Sequence, residues 1–313
     1  MIHAPSFVGI DVSKRHFDIH LHPAGKSFRC GSSPEEIAQL TRRIVQFGPV
    51  AVGLEASGGY ESRLADSLHA AGLEVHVVAP ARVRSFARGI GQLAKTDRID
   101  AAMIARYLMT VRSCLTPYAP DPARRKLSAI AAPRRRLLAE KSGLVSQCDT
   151  IDEPVVRSMI ETRLQAIAQD IATLDAAIAE LLAKTPGLRR RQARLCQVTG
   201  VGPVLATALL ADMPELGKVS AKVAAALVGV APYARQSGAS DRNGRCAGGR
   251  KHLRDIAYMA VLSAIKVRDP VLGGFYQRLR ARGKPFKLAM IATVRKLITI
   301  LNAIARSDPA FAQ

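Results

Sequence analysis

The sequence predicts an α/β domain over residues 1–120, a basic helical region over residues 121–187 and a mainly helical domain over residues 188–313. In the first domain, apolar segments of period two occur in hairpin order and then alternate with helical patterns. The second region repeats apolar residues at three- and four-residue spacing, which is typical of long helices. The third begins with two apolar segments around a glycine turn.

The first domain is expected to contain a sheet with helices on its faces. The segment FVGIDVSKRHFDIHLH (7–22) alternates apolar and polar residues around a turn-like SKR and predicts two paired strands, and KSFRC predicts a third. A helix beginning at Ser33 or Pro34 precedes a buried strand at 49–55. GGYESRLADSLHAAG predicts the next helix, EVHVVA another strand, and residues 97–110 a further helix.

The composition favours a polyanionic partner. The 313 residues include 46 Lys and Arg against 25 Asp and Glu, which gives a formal net charge of +21. We find no apolar run of the roughly 20 residues that a membrane-spanning helix needs, and no signal or lipidation motif. The five cysteines, in no CxxC arrangement, indicate neither a disulfide framework nor a zinc site, and 4% aromatic residues argue against a single-strand stacking platform. We expect a soluble intracellular protein that contacts duplex nucleic acid.

Four acidic residues form a candidate metal site. Asp97 and Asp100 lie three residues apart at the start of a predicted helix and share one face, although acids in a first turn also serve as ordinary helix caps. Asp11 and Glu55 each end the apolar run of a predicted strand, where sites of α/β folds are assembled. Together the four carboxylates would form an oxygen cage suited to Mg²⁺, and two such ions about 4 Å apart can polarise a phosphodiester.

Three motifs of this domain, GIDVSK, GLEASGGY and KTDRIDA, resemble the amino-terminal domain of the DEDD transposases of insertion sequences. That family includes a pilin-gene invertase and RNA-guided recombinases. The resemblance implies an RNase H-like fold, similar to Holliday-junction resolvases. It also implies that Asp11, Glu55, Asp97 and Asp100 are a metal-binding quartet with Mg²⁺ as the cofactor.

The second region begins with a basic block. Seven basic residues and one acid lie within 123–141, and Pro133 and Gly143 are expected to interrupt a continuous helix. Phosphate contact is expected from the arginines of this block, although a solvated basic face is the alternative. These arginines are Arg124, Arg125, Arg134, Arg135 and Arg136.

Beyond Pro154 the region shows a coiled-coil pattern. Apolar residues keep three-and-four spacing from Ile160 to Leu181, for three heptads. Such a helix needs a partner, either within the chain or in a second chain. An ordinary helical hairpin packed on its own chain is an equal alternative.

The third region opens with a helix-hairpin-helix pattern. In residues 189–213, two apolar segments flank the tight turn Gly200-Val201-Gly202, which is followed by a proline. Glycines there would let backbone N–H groups approach a phosphate at the amino end of the second helix. A plain helical turn is as compatible with the pattern.

A glycine-rich loop after Gly229 contains Ser237, the candidate nucleophile. A serine hydroxyl needs activation, and a pentavalent phosphorus transition state needs positive charge around its oxygens. A flexible phosphate-binding loop is the simpler alternative, and sequence alone does not place His252 near the hydroxyl. The segment has one acidic residue, Asp241, and six basic residues: Arg235, Arg242, Arg245, Arg250, Lys251 and Arg254.

This third region also carries the resemblance. VTGVGPVLA, GVAPYARQSG and GGRKHLRDIAYMA look like the carboxy-terminal transposase domain of the same family, and its serine nucleophile corresponds to Ser237. The family usually has an acid just before that serine, whereas this chain has Gln236, and Ser240 lies close enough to be a rival. The resemblance covers nearly the whole chain, with the middle region matching only in helical character and basicity.

These observations predict an insertion-sequence transposase that cuts and rejoins DNA through a phosphoserine intermediate, assisted by Mg²⁺. The resemblance further implies donor and target duplex DNA, a guide RNA encoded by the element, a homo-oligomer (dimer or tetramer) and a cytoplasmic, nucleoid-associated location in bacteria. A metal-dependent junction endonuclease without a covalent intermediate is the alternative enzyme. A nucleic-acid-binding protein without activity would need only the basic surfaces.

Overall fold

The computed structural model describes residues 6–48, 50–94, 96–237 and 240–311, with only the backbone given for residues 234–237, 240–244 and 310. The chain forms two compact units, Met1–Pro120 and Asp121–Gln313. Each unit is described by itself below.

The first unit is built on a five-stranded mixed sheet of order β3-β2-β1-β4-β5. β2 is antiparallel to both β1 and β3, whereas β4 is parallel to β1 and to β5. The strands are β1 (Ser6–Val12), β2 (His16–His22), β3 (Lys26–Gly31), β4 (Val50–Glu55) and β5 (Glu74–Val78). This sheet with its helices confirms the α/β prediction.

One face of the sheet is apolar and is covered by α1 (Pro34–Val45) and α2 (Ser62–Ala70). Side chains alternate along each strand, so the even-numbered residues of β1, such as Val8 and Ile10, point into this layer and are fully buried. Ser33 begins α1 with a reciprocal capping box, in which its hydroxyl accepts from the N–H of Glu36. The odd-numbered residues of β1, such as Phe7 and Asp11, therefore point to the opposite face.

That opposite face carries α4 (Asp97–Val111), which follows α3 (Pro80–Gly89). The sequence reading missed α3, a short basic helix. α4 lies directly against β1 because Gly9 has no side chain: a Cβ there would lie 2.1 Å from the carbonyl oxygen of Ala101. A short 3₁₀ turn, Arg112–Cys114, follows α4.

The second unit is mostly helical, as predicted. Its elements are α5 (Pro122–Cys148), α6 (Pro154–Lys184), α7 (Pro186–Leu195), α8 (Pro203–Asp212), α9 (Ala221–Val228), β6 (Pro232–Ser237), β7 (Ser240–Cys246), α10 (Lys251–Lys266), α11 (Leu272–Ala281), α12 (Phe286–Ser307) and a 3₁₀ turn at Pro309–Phe311.

The predicted interruption of the basic block is wrong, because α5 runs without a break through Pro133 and Gly143. An interior proline costs about 3 kcal/mol relative to alanine, but packing can override such a preference. α5 packs along α6 and against α8, and Leu127 on this face is fully buried. Tertiary contacts therefore stabilise the helix across the proline.

Some apolar residues of the heptad-like repeat in α6 are buried within their own chain. Ile160, Ile167 and Ile178 are buried, and α5 is the principal neighbour of α6. Ion pairs cross between the two helices, including Arg163 with Glu140 at 2.8 Å. This arrangement corresponds to the helical-hairpin alternative, while a coiled coil between chains stays a prediction.

α12 is the central helix of the second unit. By length and composition it is apolar enough to cross a membrane, so the expectation that no such run exists is wrong. Half of its most apolar window is buried inside the unit, and Met290, Val294 and Leu301 belong to the hydrophobic core. It packs against α9, α10 and α11, which is typical of a core helix.

The segment expected to be a glycine-rich loop forms a two-stranded hairpin instead. β6 and β7 pair antiparallel, with Pro232 opposite Cys246 and Ser237 opposite Ser240. Strand pairing depends on backbone hydrogen bonds, which every residue except proline can donate. The glycine and serine content of this segment therefore did not indicate that two strands would pair here. The intervening residues 238–239 lie outside the described part of the chain.

Candidate functional site

A row of charged residues crosses the sheet of the first unit on the α4 face. Arg29 is the cross-strand partner of Asp18, and Asp18 is the partner of Asp11. Glu55 follows Leu54, which pairs with the residue before Asp11. Residues of one such row share a face of the sheet, so the register brings one cation and three carboxylates to the same side.

The first turn of α4 adds two acids to this row. Thr96 caps the helix by accepting from the N–H of Ile99, and Asp97 and Asp100 lie in the turn that follows. Burial, followed by the carboxylates of Asp100, Asp97 and Asp18, raises the pKa of Asp11 from 3.8 to about 6. Asp11, Asp97 and Asp100 are therefore close enough to interact.

Three further residues, which sequence reasoning missed, belong to the same cluster. His16 Nε2 lies 3.7 Å from Asp18 Oδ2 and 3.7 Å from Asp97 Oδ2. One ligand atom each from His16, Asp18 and Asp97 lies within 4.8 Å of the other two, and this spacing could hold a metal ion. Arg29 donates to Asp18 at 2.9 and 3.0 Å and to Asp97 at 3.1 Å.

A signal for these residues was present in the sequence. The alternation of HFDIHLH places His16 and Asp18 on the polar face of β2. The position of Asp11 at a strand end made it a candidate, whereas Asp18, its partner on the antiparallel strand, lies inside a strand and was missed. The register of the first hairpin, once known, identifies Asp18 directly.

The donor set fits a divalent cation. Asp18 and Asp97 offer carboxylate oxygens, which hard cations prefer, and Asp11 lies close enough to both to interact with them electrostatically. Burial first, and then the neighbouring carboxylates, raise the pKa of Asp11, and a bound cation would favour its ionised form. His16 adds a nitrogen donor beside Asp97, so the cluster is suited to a divalent metal without being restricted to magnesium.

In the second unit, only the backbone of Ser237 is described, at the end of β6. The side chains of Ser237, Ser240, Arg235 and Arg242 lie outside the described part of the chain, and Arg245 is exposed. The proposed nucleophile thus has a backbone position opposite Ser240 and no described contact.

The other predicted cations of this segment make contacts within the chain. Arg250 pairs with Glu215 at 2.7 Å, and Lys251 pairs with Asp255 at 2.6 Å. Arg254 donates to the carbonyl oxygen of Gly229 at 3.2 Å, at the end of α9. These contacts give the residues a role in the fold besides any role in binding phosphate.

The arginines of α5 differ from one another. Arg134 forms an ion pair with Asp175, and Arg135 forms one with Asp212 at 2.6 Å. Arg136 is exposed. Arg124 and Arg125, near the start of the helix, are half-buried.

The glycine turn before α8 has a packing role. Gly200 has a φ of +86°, and a Cβ there would lie 2.3 Å from the carbonyl oxygen of Ala260 in α10. Gly202 is the amino-terminal cap residue of α8. Close packing and the left-handed backbone therefore explain Gly200, and phosphate binding at the turn stays a prediction.

Comparisons with known proteins match both units. Residues 8–151 match the DEDD_Tnp_IS110 model, described as a transposase, and residues 192–277 match the model of the transposase IS116/IS110/IS902 family. The pilin gene-inverting protein of Moraxella bovis is 28% identical over 322 residues, which covers 98% of this chain and 97% of that protein. The insertion element IS110 uncharacterized 43.6 kDa protein of Streptomyces coelicolor is 28% identical over 192 residues, 61% of this chain and 45% of that protein.

Among solved structures, T. thermophilus RuvC in complex with a Holliday junction substrate is similar to part of the chain. The identity is 16% and the TM-score 0.29, with 37% of this chain and 100% of that chain covered. A second Thermus thermophilus RuvC structure gives 18% identity and a TM-score of 0.29, with 36% and 99% covered.

Proposed function

Because the chain belongs to the IS110 family of transposases and DNA invertases, we propose that it cuts and rejoins DNA through a transient bond between Ser237 and the DNA phosphate. The acids of the first unit would act on the same phosphodiester. Ser237 and these acids would come together either within one chain or between two chains of an oligomer.

The observation that carries this proposal is the crowding of acids around Asp11. Burial and like charges raise the pKa of Asp11 to about 6, so the folded chain is less stable when this carboxyl group is ionised. Groups perturbed in this way are frequent at functional sites, where the chemistry requires them. The crowding therefore supports a cation-binding active site in preference to simple helix capping.

Asp11, Glu55, Asp97 and Asp100 would hold Mg²⁺ or a similar divalent cation, which when bound supplies charge stabilisation at the phosphodiester oxygens. Arg29 holds Asp18 and Asp97 in fixed orientations through its guanidinium group. A fixed arrangement lowers the cost of reorganising charges during reaction.

The serine step exchanges one phosphoester for another. The Ser237 oxygen bonds to phosphorus while the bond from phosphorus to one deoxyribose oxygen breaks, and the serine proton passes to that leaving oxygen. In the reverse step, a deoxyribose hydroxyl of another strand attacks phosphorus and releases the serine. Each step makes and breaks one ester bond, so rejoining needs no ATP.

The nucleic-acid partners are part of the proposal. The net charge of +21 favours binding to a polyanion, and donor and target duplex DNA are the expected substrates. Exposed Arg136 and Arg245 would contact phosphates. From the resemblance to the family, we also propose that the chain binds a guide RNA encoded by the element. We further propose that it forms a dimer or tetramer and is located at the bacterial nucleoid.

A metal-dependent endonuclease without a covalent intermediate is the second candidate. Three of the quartet acids, Asp11, Asp97 and Asp100, interact within the first unit. A nuclease of this kind would need the first unit's acids and would not need Ser237. The two candidates therefore differ in their dependence on one hydroxyl.

A comparison of two serine variants tests the proposal. In a purified reaction with DNA from the ends of the element and any RNA that copurifies, Ser237→Ala should abolish both the covalent protein–DNA adduct and the rejoined product. Ser240→Ala, which removes the hydroxyl opposite in the hairpin, should retain both. DNA binding by the two variants should match that of the unaltered chain.

Full recombination by Ser237→Ala would refute the serine mechanism. If the unaltered chain instead cleaved DNA with no adduct at any time point, and Ser237→Ala cleaved equally well, the endonuclease candidate would replace it.

A further inference from the structure

The second unit contains a cavity of about 600 Å³ formed by α5, α6, α7, α8 and α10. Aliphatic side chains form much of its wall, including Leu138, Ile178, Leu182, Val204 and Ile256, and polar and charged side chains complete the lining. This volume lies within the roughly 300–1,000 Å³ range of small-molecule sites and is large enough for one nucleotide.

A fixed polar network lies at one side of the cavity. The largely buried carboxylate of Asp212 accepts from Arg135 at 2.6 Å and is hydrogen-bonded to His252 Nε2 at 2.8 Å. Gln192 donates to the Thr207 hydroxyl at 2.8 Å. The negative charge of Asp212 is thus balanced, and the ring and amide groups offer directional hydrogen bonding to a planar polar edge.

An exposed arginine of α7 and the amino end of α8 lie at one side of the cavity. Arg189, in the first turn of α7, is exposed and lines the cavity. Pro203 and Val204, in the first turn of α8, line it as well. The first N–H groups of a helix have no intrahelical acceptor and favour an anion, so a phosphate would be bound beside an aliphatic cavity.

We propose that this cavity receives one extrahelical nucleotide of the bound DNA. The base would lie between the aliphatic walls with its polar edge at Gln192 and His252, and its phosphate would lie at Arg189 and the amino end of α8. An occupant must combine a flat body, a polar edge and an anionic group, and in a chain of net charge +21 a nucleotide meets all three requirements.

This inference rests on the proposed function, because strand exchange requires bases to leave one duplex and enter another. Unstacking a base costs free energy, and a cavity that holds the displaced base offsets part of that cost. The cavity would therefore favour an opened duplex without reading a long sequence.

The test uses a duplex with one unpaired 2-aminopurine and a fully paired duplex of the same sequence. Because a bulge spares most of the unstacking cost, the unaltered chain should bind the bulged duplex at least about tenfold more tightly. The fluorescence of 2-aminopurine should rise on binding, because the base would leave its stacked neighbours for a cavity whose described lining contains no Phe, Tyr or Trp.

Two pairs of variants provide matched controls. Ala179→Phe would fill the cavity, whereas Ala176→Phe adds the same ring to an exposed position of α6 that does not line it. We expect Ala179→Phe to lose the preference for the bulge and Ala176→Phe to keep it. Arg189→Gln should reduce the preference more than Arg190→Gln, since Arg189 lines the cavity and its neighbour does not.

Equal affinity of the unaltered chain for the two duplexes, or an undiminished preference in Ala179→Phe, would overturn the inference. The latter result would show that the unpaired base does not lie in this cavity. Recombination by the unaltered chain is measured in parallel, so a chain that recombines DNA without bulge preference refutes this inference and leaves the proposed function standing.

Discussion

At the scale of single residues, the most informative feature is the pair of aspartates that face each other across β1 and β2. Like charges directly opposite in a sheet are destabilising, yet Asp11 lies opposite Asp18. Arg29, the next residue in the row, neutralises Asp18, while Asp11 keeps a pKa of about 6. The fold therefore neutralises the carboxylate of Asp18 with Arg29, while the carboxylate of Asp11 stays buried among like charges.

Asp11→Asn should stabilise the chain in metal-free buffer at neutral to alkaline pH. The fold favours the protonated carboxyl, so this group contributes its full stability below about pH 3.8 and loses it as the pH rises through about 6. The variant's Tm should exceed that of the unaltered chain by a few °C at pH 8 and by little at pH 4, as measured by scanning calorimetry in EDTA. The same substitution should abolish recombination.

Asp170→Asn, at an exposed position of α6, is the matched control and should leave Tm unchanged at both pH values. If Asp11→Asn were no more stable than the unaltered chain at pH 8, the crowding of acids around Asp11 would be wrong.

The candidate site was predictable as a set of acids but not as a geometry. Spacing selected Asp97 and Asp100 as candidates, strand ends selected Asp11 and Glu55, and the role of all four in metal binding stays a prediction. His16 and the other added members depend on the pairing register of β1 with β2, which hydrophobic alternation alone does not specify residue by residue.

At the scale of elements, the close approach of α4 to the sheet positions the acids. Gly9 and Gly53 lie under the helix, where a Cβ at Gly53 would meet Ile104 at 3.0 Å. The clash at Gly9 involves backbone atoms of α4, which cannot move as a flexible side chain can. The glycines therefore set how near Asp97 and Asp100 come to Asp11.

Gly9→Ala should destabilise the chain by at least about 2 kcal/mol, because the helix must shift to admit the methyl group. Urea unfolding measures this loss, and recombination should fall with it. Gly89→Ala is the control, since a Cβ at the end of α3 meets no atom within 4 Å. A Gly9→Ala chain as stable and active as this control would show that α4 does not lie against β1 as described.

Elements with strong periodicity were predicted well, and those governed by packing were not. β1, β4 and α4 agree with the alternation and spacing of their residues. α5 continues through Pro133 because α6 and α8 support it, which no local propensity indicates. The hairpin β6–β7 formed in a glycine-containing segment because its strands satisfy each other's backbone groups.

At the scale of the whole molecule, the proposed chemistry divides between two units. The acids lie in Met1–Pro120, and Ser237 lies in Asp121–Gln313. A serine attack assisted by a cation requires both at one phosphodiester when DNA is bound. The two family matches lie one after the other along the chain, at residues 8–151 and 192–277.

The most direct test supplies Fe²⁺ as the divalent cation in the complex with DNA and generates hydroxyl radicals with ascorbate and peroxide. Radicals cut the polypeptide near the bound ion, and mass spectrometry locates the cuts. We expect cuts beside Asp11 and Asp97 and also within residues 235–240, with both sets lost in Asp11→Asn. Cuts confined to the first unit, in a complex that still recombines DNA, would contradict the joint action of the acids and the serine.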